Sequence, residues 1–166
     1  MYNIGDKIVY PMHGAGMIEA IEEREVLGEK RRYYIMAMPI GDMKVMIPMD
    51  SAEEIGVRQV IDEEETKRVI EILQGEMSNM SQNWNRRYRA NMEKIKSGDV
   101  DAVAEVVRNL TLRDQEKGLS AGERKMLETA RQILISELVL VKGVSEEEVV
   151  QLITDSIEGN NKKESV

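Results

Sequence analysis

Residues 60–75 read VIDEEETKRVIEILQG and mark the point at which the chain changes character. The glutamates that follow Asp62 place carboxylates in a first helical turn, where the helix dipole favours negative charge. Gly75 is expected to end this helix, whose apolar residues are Val69, Ile70, Ile72 and Leu73. All three prolines of the 166-residue chain lie before this stretch. The sequence therefore predicts a β module followed by a helical module.

The part before residue 60 contains four runs that are typical of short strands. They are Lys7–Tyr10, Gly16–Leu27, Arg31–Met38 and Asp42–Ile47. Turn signals lie between the last three runs, at Gly28-Glu29 and at Ile40-Gly41-Asp42. Four short strands joined by tight turns predict a small, strongly bent antiparallel sheet or barrel.

The part after residue 60 contains signals for about five helices. After the first helix, a polar stretch over Glu76–Gln82 is expected to be a linker, and Ser81 is a candidate N-cap for the second helix. A third helix is expected from Asp99 to Gly118. Two capping-box patterns, Ser120-Ala-Gly-Glu123 and Ser145-Glu-Glu-Glu148, open the last two helices, which are expected to end near Leu140 and Ile157.

Composition excludes several classes of protein. The formal net charge is −8, cysteine is absent, and there are 12 methionines but no phenylalanine. Without cysteine the chain has no disulfide, thiolate zinc site or cysteine nucleophile, which fits a reducing cytoplasm. No run approaches the roughly 18 apolar residues of a membrane span, and the N-terminus lacks the apolar core of a signal peptide. We therefore expect a cytoplasmic protein that does not contact a membrane.

The segment 81–96, SQNWNRRYRANMEKIK, differs in charge from the rest of the chain, because it holds five cations against a single acid. On a helix, the only tryptophan shares one side with Tyr88, Asn91, Met92 and Ile95, and the other side carries Arg86, Arg87, Arg89, Lys94 and Lys96. One interpretation is an amphipathic helix with a solvated cationic face and a buried Trp84. The other is a surface that neutralises DNA phosphates, with an aromatic ring that inserts at a base step. The sequence pattern alone leaves both open.

No other feature indicates catalysis or metal binding. His13 lies in His-Gly-Ala-Gly, which is more typical of a glycine turn between strands than of a general base. The acidic clusters at 62–65 and 146–148 lie at expected helix starts and lack EF-hand spacing. The methionine-rich run 35–49 is expected to be mostly core, with a partner-binding surface as the alternative. We therefore expect a protein that is not an enzyme and has no cofactor or metal.

Several longer motifs resemble the CarD/CdnL family of bacterial transcription regulators. They are Ile4-Gly-Asp-Lys-Ile-Val-Tyr-Pro11 with His13-Gly14, Trp84-Asn-Arg-Arg-Tyr-Arg89, Lys96-Ser-Gly-Asp99, Val103-Ala-Glu-Val-Val-Arg108, Arg113-Asp-Gln-Glu116 and Gly118-Leu-Ser-Ala-Gly-Glu123. They occur in the family's order, and the resemblance covers the chain from about residue 3 to residue 140.

The resemblance implies an α+β protein with two functional domains. Residues 1–58 would form a Tudor-like β domain, similar to the polymerase-interacting module of the transcription-repair coupling factor, that binds the lobe of the RNA polymerase β subunit. Residues 59–159 would form a helical DNA-binding domain, and residues 160–166 a flexible tail. The family stabilises the open promoter complex at the upstream edge of the melted region, through the minor groove and the DNA backbone and without reading a sequence. A monomer, associated with the nucleoid through polymerase, is expected.

The resemblance also assigns roles to individual residues. Trp84 matches a minor-groove wedge, and the DNA-contacting cations would be Arg86, Arg87, Arg89, Arg124 and Lys125. Arg24, mid-strand among acids, matches a contact to the polymerase β lobe. Met46 stands where relatives commonly carry a second arginine, and Lys44 is the nearby cation that would replace it. The alternative is an adaptor that binds polymerase without touching DNA, with Trp84 packed in the helical core.

Overall fold

The computed structural model describes residues 1–164, with side chains up to residue 159. The N-terminal part forms five strands and one short helix: β1 (Lys7–Tyr10), β2 (Gly14–Val26), β3 (Glu29–Ala37), β4 (Lys44–Pro48), α1 (Ala52–Ile55) and β5 (Arg58–Gln59). The strands lie in one sheet in the order β4-β3-β2-β1-β5, and every paired neighbour is antiparallel.

The bent antiparallel sheet is confirmed, but the sheet does not close into a barrel. Strands β4 and β5 are its two edges, and no pairing between them is present in residues 1–164. A bulge between Ile18 and Ala20 shifts the register of β2 against β3, and such bulges bend a strand and increase its twist. The two elements that sequence patterns did not predict, β5 and α1, have two and four residues, too few to show a period.

One face of the sheet holds the core of the β module. Its buried residues are Ile8, Ile18, Tyr34, Met36, Ile47, Ala52 and Val57. Met36 lies in this core and Met38 and Met49 pack against it, whereas Met43 and Met46 are exposed. The expectation that most methionines of run 35–49 serve the core is therefore confirmed, with two exceptions.

The five expected helices are present in the C-terminal part. They are α2 (Glu63–Leu73), α3 (Trp84–Lys96), α4 (Val100–Lys117), α5 (Ala121–Lys142) and α6 (Glu146–Glu164). Asp62, Asp99 and Ser120 cap the starts of α2, α4 and α5 with their side chains, as their patterns predict. Helix α6 continues past the expected end at Ile157 to Glu164. Residues 160–164 of the expected tail lie in this helix, and residues 165 and 166 lie outside the described part, so the flexibility of the tail stays a prediction.

The two modules share an extensive interface in which α5 packs against β2. Glu137 on α5 accepts two hydrogen bonds from the Arg58 guanidinium, both at 2.8 Å, and a third from Ile61 N at 2.9 Å. The Ser136 hydroxyl accepts a hydrogen bond from Ala15 N at 2.8 Å. Met12, in the β1–β2 turn, packs against the helical core. The sheet and the helices therefore form one body in this structure.

Candidate nucleic-acid interface

The basic segment forms α3, and its start is set by local capping. Helix α3 begins at Trp84, and the Asn83 side chain accepts a hydrogen bond from Arg86 N at 3.1 Å. Ser81 lies two residues before this cap, and its hydroxyl accepts a hydrogen bond from Asn83 N at 3.2 Å. The N-cap is therefore Asn83, and Ser81 supports the turn that precedes it.

Trp84 lies at the surface, because it occupies the first turn of α3. The residue is 42% exposed, so its ring is partly covered by neighbouring side chains but is not packed in the helical core. The indole Nε1 donates a hydrogen bond to the Ser120 hydroxyl at 3.0 Å. Its ring stacks on Tyr88, with centroids 4.9 Å apart and an angle of 21° between the planes. The adaptor alternative, which requires a core tryptophan, does not match this placement.

Arg87 is the one member of the predicted cationic group that does not reach the surface. Its side chain is 5% exposed, and its guanidinium bonds both carboxylate oxygens of Glu123, at 2.8 and 3.2 Å. It also donates to the backbone carbonyls of Ser81 and Gln82. The expectation that Arg87 contacts DNA is therefore corrected. Its donors are already used inside the protein, where they hold α3 to α5 and to the preceding linker.

Glu123 is almost completely buried, and its charge depends on this ion pair. The side-chain hydrogen bond from Arg87 holds the pKa of the Glu123 carboxyl below its ordinary value of 4.5, although burial opposes this effect. A hydrogen bond from the Ser120 hydroxyl acts in the same direction. The carboxylate is therefore ionised at neutral pH and can orient both of its donors.

The remaining predicted cations are exposed on the two helices whose starts meet at Trp84. Arg86 and Arg89 are exposed on α3, and Arg124 and Lys125 are exposed in the first turn of α5. The Trp84–Ser120 hydrogen bond joins the starts of these two helices. We call Trp84, Arg86, Arg89, Arg124 and Lys125 the basic tip. It combines exposed cations, an aromatic ring and two helix N-termini, all of which suit contact with phosphates and bases.

The predicted polymerase-binding residues share one face of the sheet, the one opposite its core. Directly paired residues of antiparallel strands lie on the same face, and side chains alternate along each strand. By register, Met46 pairs with Ile35, Lys44 with Ala37 and Arg24 with Arg31. Since 31, 35 and 37 have one parity on β3, all three predicted residues lie on this face. We call it the outer face.

The outer face of the sheet has two parts, one covered by helix α5 and one free. At the β1 end its residues Val9 and Ala15 are buried, beside α5. At the other end Arg24, Lys44 and Met46 are exposed, with 40% exposure for Met46. There Arg24 bonds Glu22 at 2.7 Å and Lys44 bonds Glu19 at 2.7 Å. The hydrogen bond that Lys44 donates to the Glu19 carboxylate raises the pKa of Lys44. This free end is a mixed surface of paired charges and exposed methionine.

Sequence reasoning missed the partners that organise both surfaces. The capping-box pattern correctly predicted that Ser120 and Glu123 start a helix. It did not predict that Ser120 bonds Trp84 or that Glu123 bonds Arg87. Glu137 gave no signal in the sequence, because its partner Arg58 lies 79 residues away.

The structure adds nothing that indicates catalysis. Among the side chains of residues 1–159, no three His, Cys, Asp or Glu side chains are grouped closely enough to hold a metal ion. His13 is exposed, and its ring centroid lies 4.1 Å from that of Tyr10. It lies in the turn between β1 and β2, as the His-Gly-Ala-Gly pattern predicts. None of the helices described is long and apolar enough to cross a membrane.

Comparison with known proteins gives consistent matches to both modules. A family model described as CarD-like/TRCF RID domain matches residues 2–61, and one described as CarD, C-terminal domain matches residues 68–154. A Bacillus subtilis (strain 168) protein, YdeB, named as a candidate transcription factor, is 47% identical over 149 residues, which are 90% of this chain and 97% of that protein. A solution NMR structure of the 72-residue N-terminal domain of Myxococcus xanthus CarD is 34% identical, covers 36% of this chain and 79% of that domain, and has a TM-score of 0.32.

Proposed function

The chain belongs to the CarD family of transcription factors, and on that premise we propose that it binds RNA polymerase and stabilises the open promoter complex. In this proposal the free end of the outer face binds the lobe of the polymerase β subunit. The basic tip contacts promoter DNA at the upstream edge of the melted region. The observation that carries the proposal is an exposed Trp84 where two helices that carry exposed cations meet, in a protein of net charge −8.

Charge distribution supports DNA contact at the basic tip. The basic tip carries four exposed cations, Arg86, Arg89, Arg124 and Lys125, in a protein whose formal net charge is −8. An acidic protein with one basic surface is attracted to phosphates only in one orientation. Each phosphate contact releases condensed counterions, so binding to DNA should weaken as salt rises.

The outer face supports contact with a protein partner. Residues 2–61 match a CarD-like domain, a type that interacts with RNA polymerase in general. Arg24 matches a family residue that contacts the lobe of the polymerase β subunit, so this lobe is the partner that we propose. On this face Arg24 and Lys44 flank the exposed Met46, a thioether side chain that adapts to an uneven partner surface. We propose that Met46 contributes apolar contact where relatives use an arginine.

Helix α5 supplies the physical link between the two surfaces. Its first turn contacts Trp84 through Ser120, and its later half contacts the sheet through Ser136 and Glu137. At about 1.5 Å per residue, roughly 25 Å of helix separates these contacts. A polymerase-bound sheet would therefore hold the basic tip at a fixed distance, and weak DNA contacts would act at high effective concentration.

Stabilisation of the open complex requires differential binding. A ligand shifts the equilibrium between closed and open promoter only by as much as it prefers the open form. An indole that inserts at a partly unstacked base step has that preference, since intact duplex would have to be unstacked first.

The proposal is tested by the lifetime of preformed open complexes after addition of a competitor that traps free polymerase. The wild-type protein is expected to lengthen this lifetime, and Trp84→Ala is expected to lose most of the effect. Arg68→Ala serves as the control, because Arg68 is a cation on α2 that pairs with Asp101 at 2.8 Å. An unchanged lifetime with the wild-type protein would contradict the proposal.

A further inference from the structure

The Ser120 hydroxyl makes three hydrogen bonds. It accepts one from Glu123 N at 3.2 Å, which caps α5, and it donates one to Glu123 Oε1 at 3.1 Å. It accepts the third from Trp84 Nε1 at 3.0 Å. A hydroxyl has one hydrogen and two lone pairs, so every bonding position of Ser120 is used.

The direction of the Ser120 hydroxyl is set by the buried pair behind it. Arg87 fixes the Glu123 carboxylate through two hydrogen bonds, and that carboxylate receives the hydroxyl hydrogen. The hydroxyl lone pair is consequently available to the indole. Because Arg87 follows Trp84 by one turn on α3, the four residues close a ring of contacts between α3 and α5.

Two further contacts limit the position of the indole. Tyr88 stacks against its ring, and Gly122 lies beneath it, where an added Cβ would be 3.5 Å from Trp84 Cζ2. The ring therefore rests on the first turn of α5 with 42% of the side chain still exposed. A side chain that is already ordered loses less conformational entropy when it binds.

We infer that Ser120 is a positioning residue that holds Trp84 in its DNA-binding orientation before DNA arrives. The inference rests on the function proposed above and adds a role that helix capping alone does not explain. Through Ser120, the orientation of Trp84 is coupled to the Arg87–Glu123 pair and to the helix that carries Arg124 and Lys125.

The chain contains a matched control for the capping role. Ser145 opens α6 in the same Ser-x-x-Glu pattern, and its hydroxyl accepts a hydrogen bond from Glu148 N at 3.2 Å, the same distance as at Ser120. Substitution of either serine by alanine removes one N-cap, but only Ser120→Ala also frees the indole. Ser120→Thr retains the hydroxyl and is the rescue variant.

The experiment compares Ser120→Ala, Ser120→Thr, Ser145→Ala and Trp84→Ala by circular dichroism, by time-resolved tryptophan anisotropy and by open-complex lifetime. Trp84 is the only tryptophan, so the anisotropy reports its motion directly. We expect Ser120→Ala to remain folded and to increase the fast motion of the indole. It should shorten the open-complex lifetime by about three- to tenfold, because one neutral hydrogen bond is lost. Ser120→Thr and Ser145→Ala should keep the wild-type values.

Failure of this inference can be distinguished from failure of the proposed function. If Trp84→Ala shortens the lifetime and Ser120→Ala behaves as Ser145→Ala does, positioning by Ser120 is overturned and the wedge remains. If Trp84→Ala has no effect on the lifetime, the wedge itself is overturned, and the positioning role with it. Equal indole motion in Ser120→Ala and the wild type would also overturn the inference.

Discussion

Arg58 and Glu137 join the sheet to the helices through a two-pronged ion pair, with both N–O distances at 2.8 Å. Glu137 is buried, with its side chain 2% exposed, and Arg58 also donates to the carbonyl of Gly98 at 2.8 Å. One guanidinium therefore contacts α5 and the turn between α3 and α4. The ion pair lies between the surface proposed for polymerase and the surface proposed for DNA.

Removal of Glu137 should weaken the whole protein. Glu137→Ala leaves the Arg58 charge and the Ile61 amide without their shared acceptor, and breaking such a buried pair costs about 3–5 kcal/mol. Urea unfolding followed by circular dichroism measures the change. Glu128→Ala, an exposed glutamate on the same helix, is the control and should stay within about 0.5 kcal/mol of the wild type. Equal stability of the two variants would contradict the role of the ion pair.

Two adjacent arginines on α3 should behave in opposite ways. Arg87→Ala removes the buried partner of Glu123 and should lower the free energy of unfolding by about 3 kcal/mol or more. Arg86→Ala, at an exposed position, should leave stability nearly unchanged and weaken DNA binding. Urea unfolding and a DNA-binding titration at low salt measure both properties. A stable Arg87→Ala variant that has lost DNA binding would show that Arg87 contacts DNA after all.

Stability should fall in acid partly because of Glu123. Its folded pKa lies below the ordinary value of 4.5, so the ion pair contributes fully above that pH and is lost as pH falls through the folded pKa. Unfolding free energies measured from pH 6 to pH 3 should therefore fall less steeply for Glu123→Gln than for the wild type. Identical slopes for Glu123→Gln and the wild type would refute the assignment.

Arg24 should matter for polymerase binding because of the face on which it lies. Arg24→Glu should weaken binding to RNA polymerase, measured by pull-down or by titration with purified polymerase. Arg32→Glu makes the same charge change on the same hairpin, but Arg32 pairs with Glu23 and so lies on the opposite face. We expect this control to bind as the wild type does. Equal loss in both variants would indicate a general charge effect rather than contact through the outer face.

The sequence was sufficient to predict the features that depend on neighbouring residues. Helix starts with a capping serine or aspartate, such as Ser120 and Asp99, were found because the capping side chain and the backbone N–H that donates to it lie within three residues. The opened sheet was not predictable, because closure depends on the pairing of strands that are distant in the chain. The burial of Arg87 was hidden for the same reason. Its helical position suggested a solvated face, and only the approach of Glu123, 36 residues later, brought it inside.

The dissociation rate of open complexes, measured as a function of protein concentration, distinguishes the contribution of the polymerase contact from that of Trp84 most directly. A weaker polymerase contact is overcome by mass action, whereas a missing wedge is not. We predict that Arg24→Glu needs more protein than the wild type but reaches the same slow rate at saturation. Trp84→Ala should saturate at wild-type concentrations, with a rate close to that without the protein. A Trp84→Ala variant that reaches the wild-type rate at saturation would contradict the central role of Trp84.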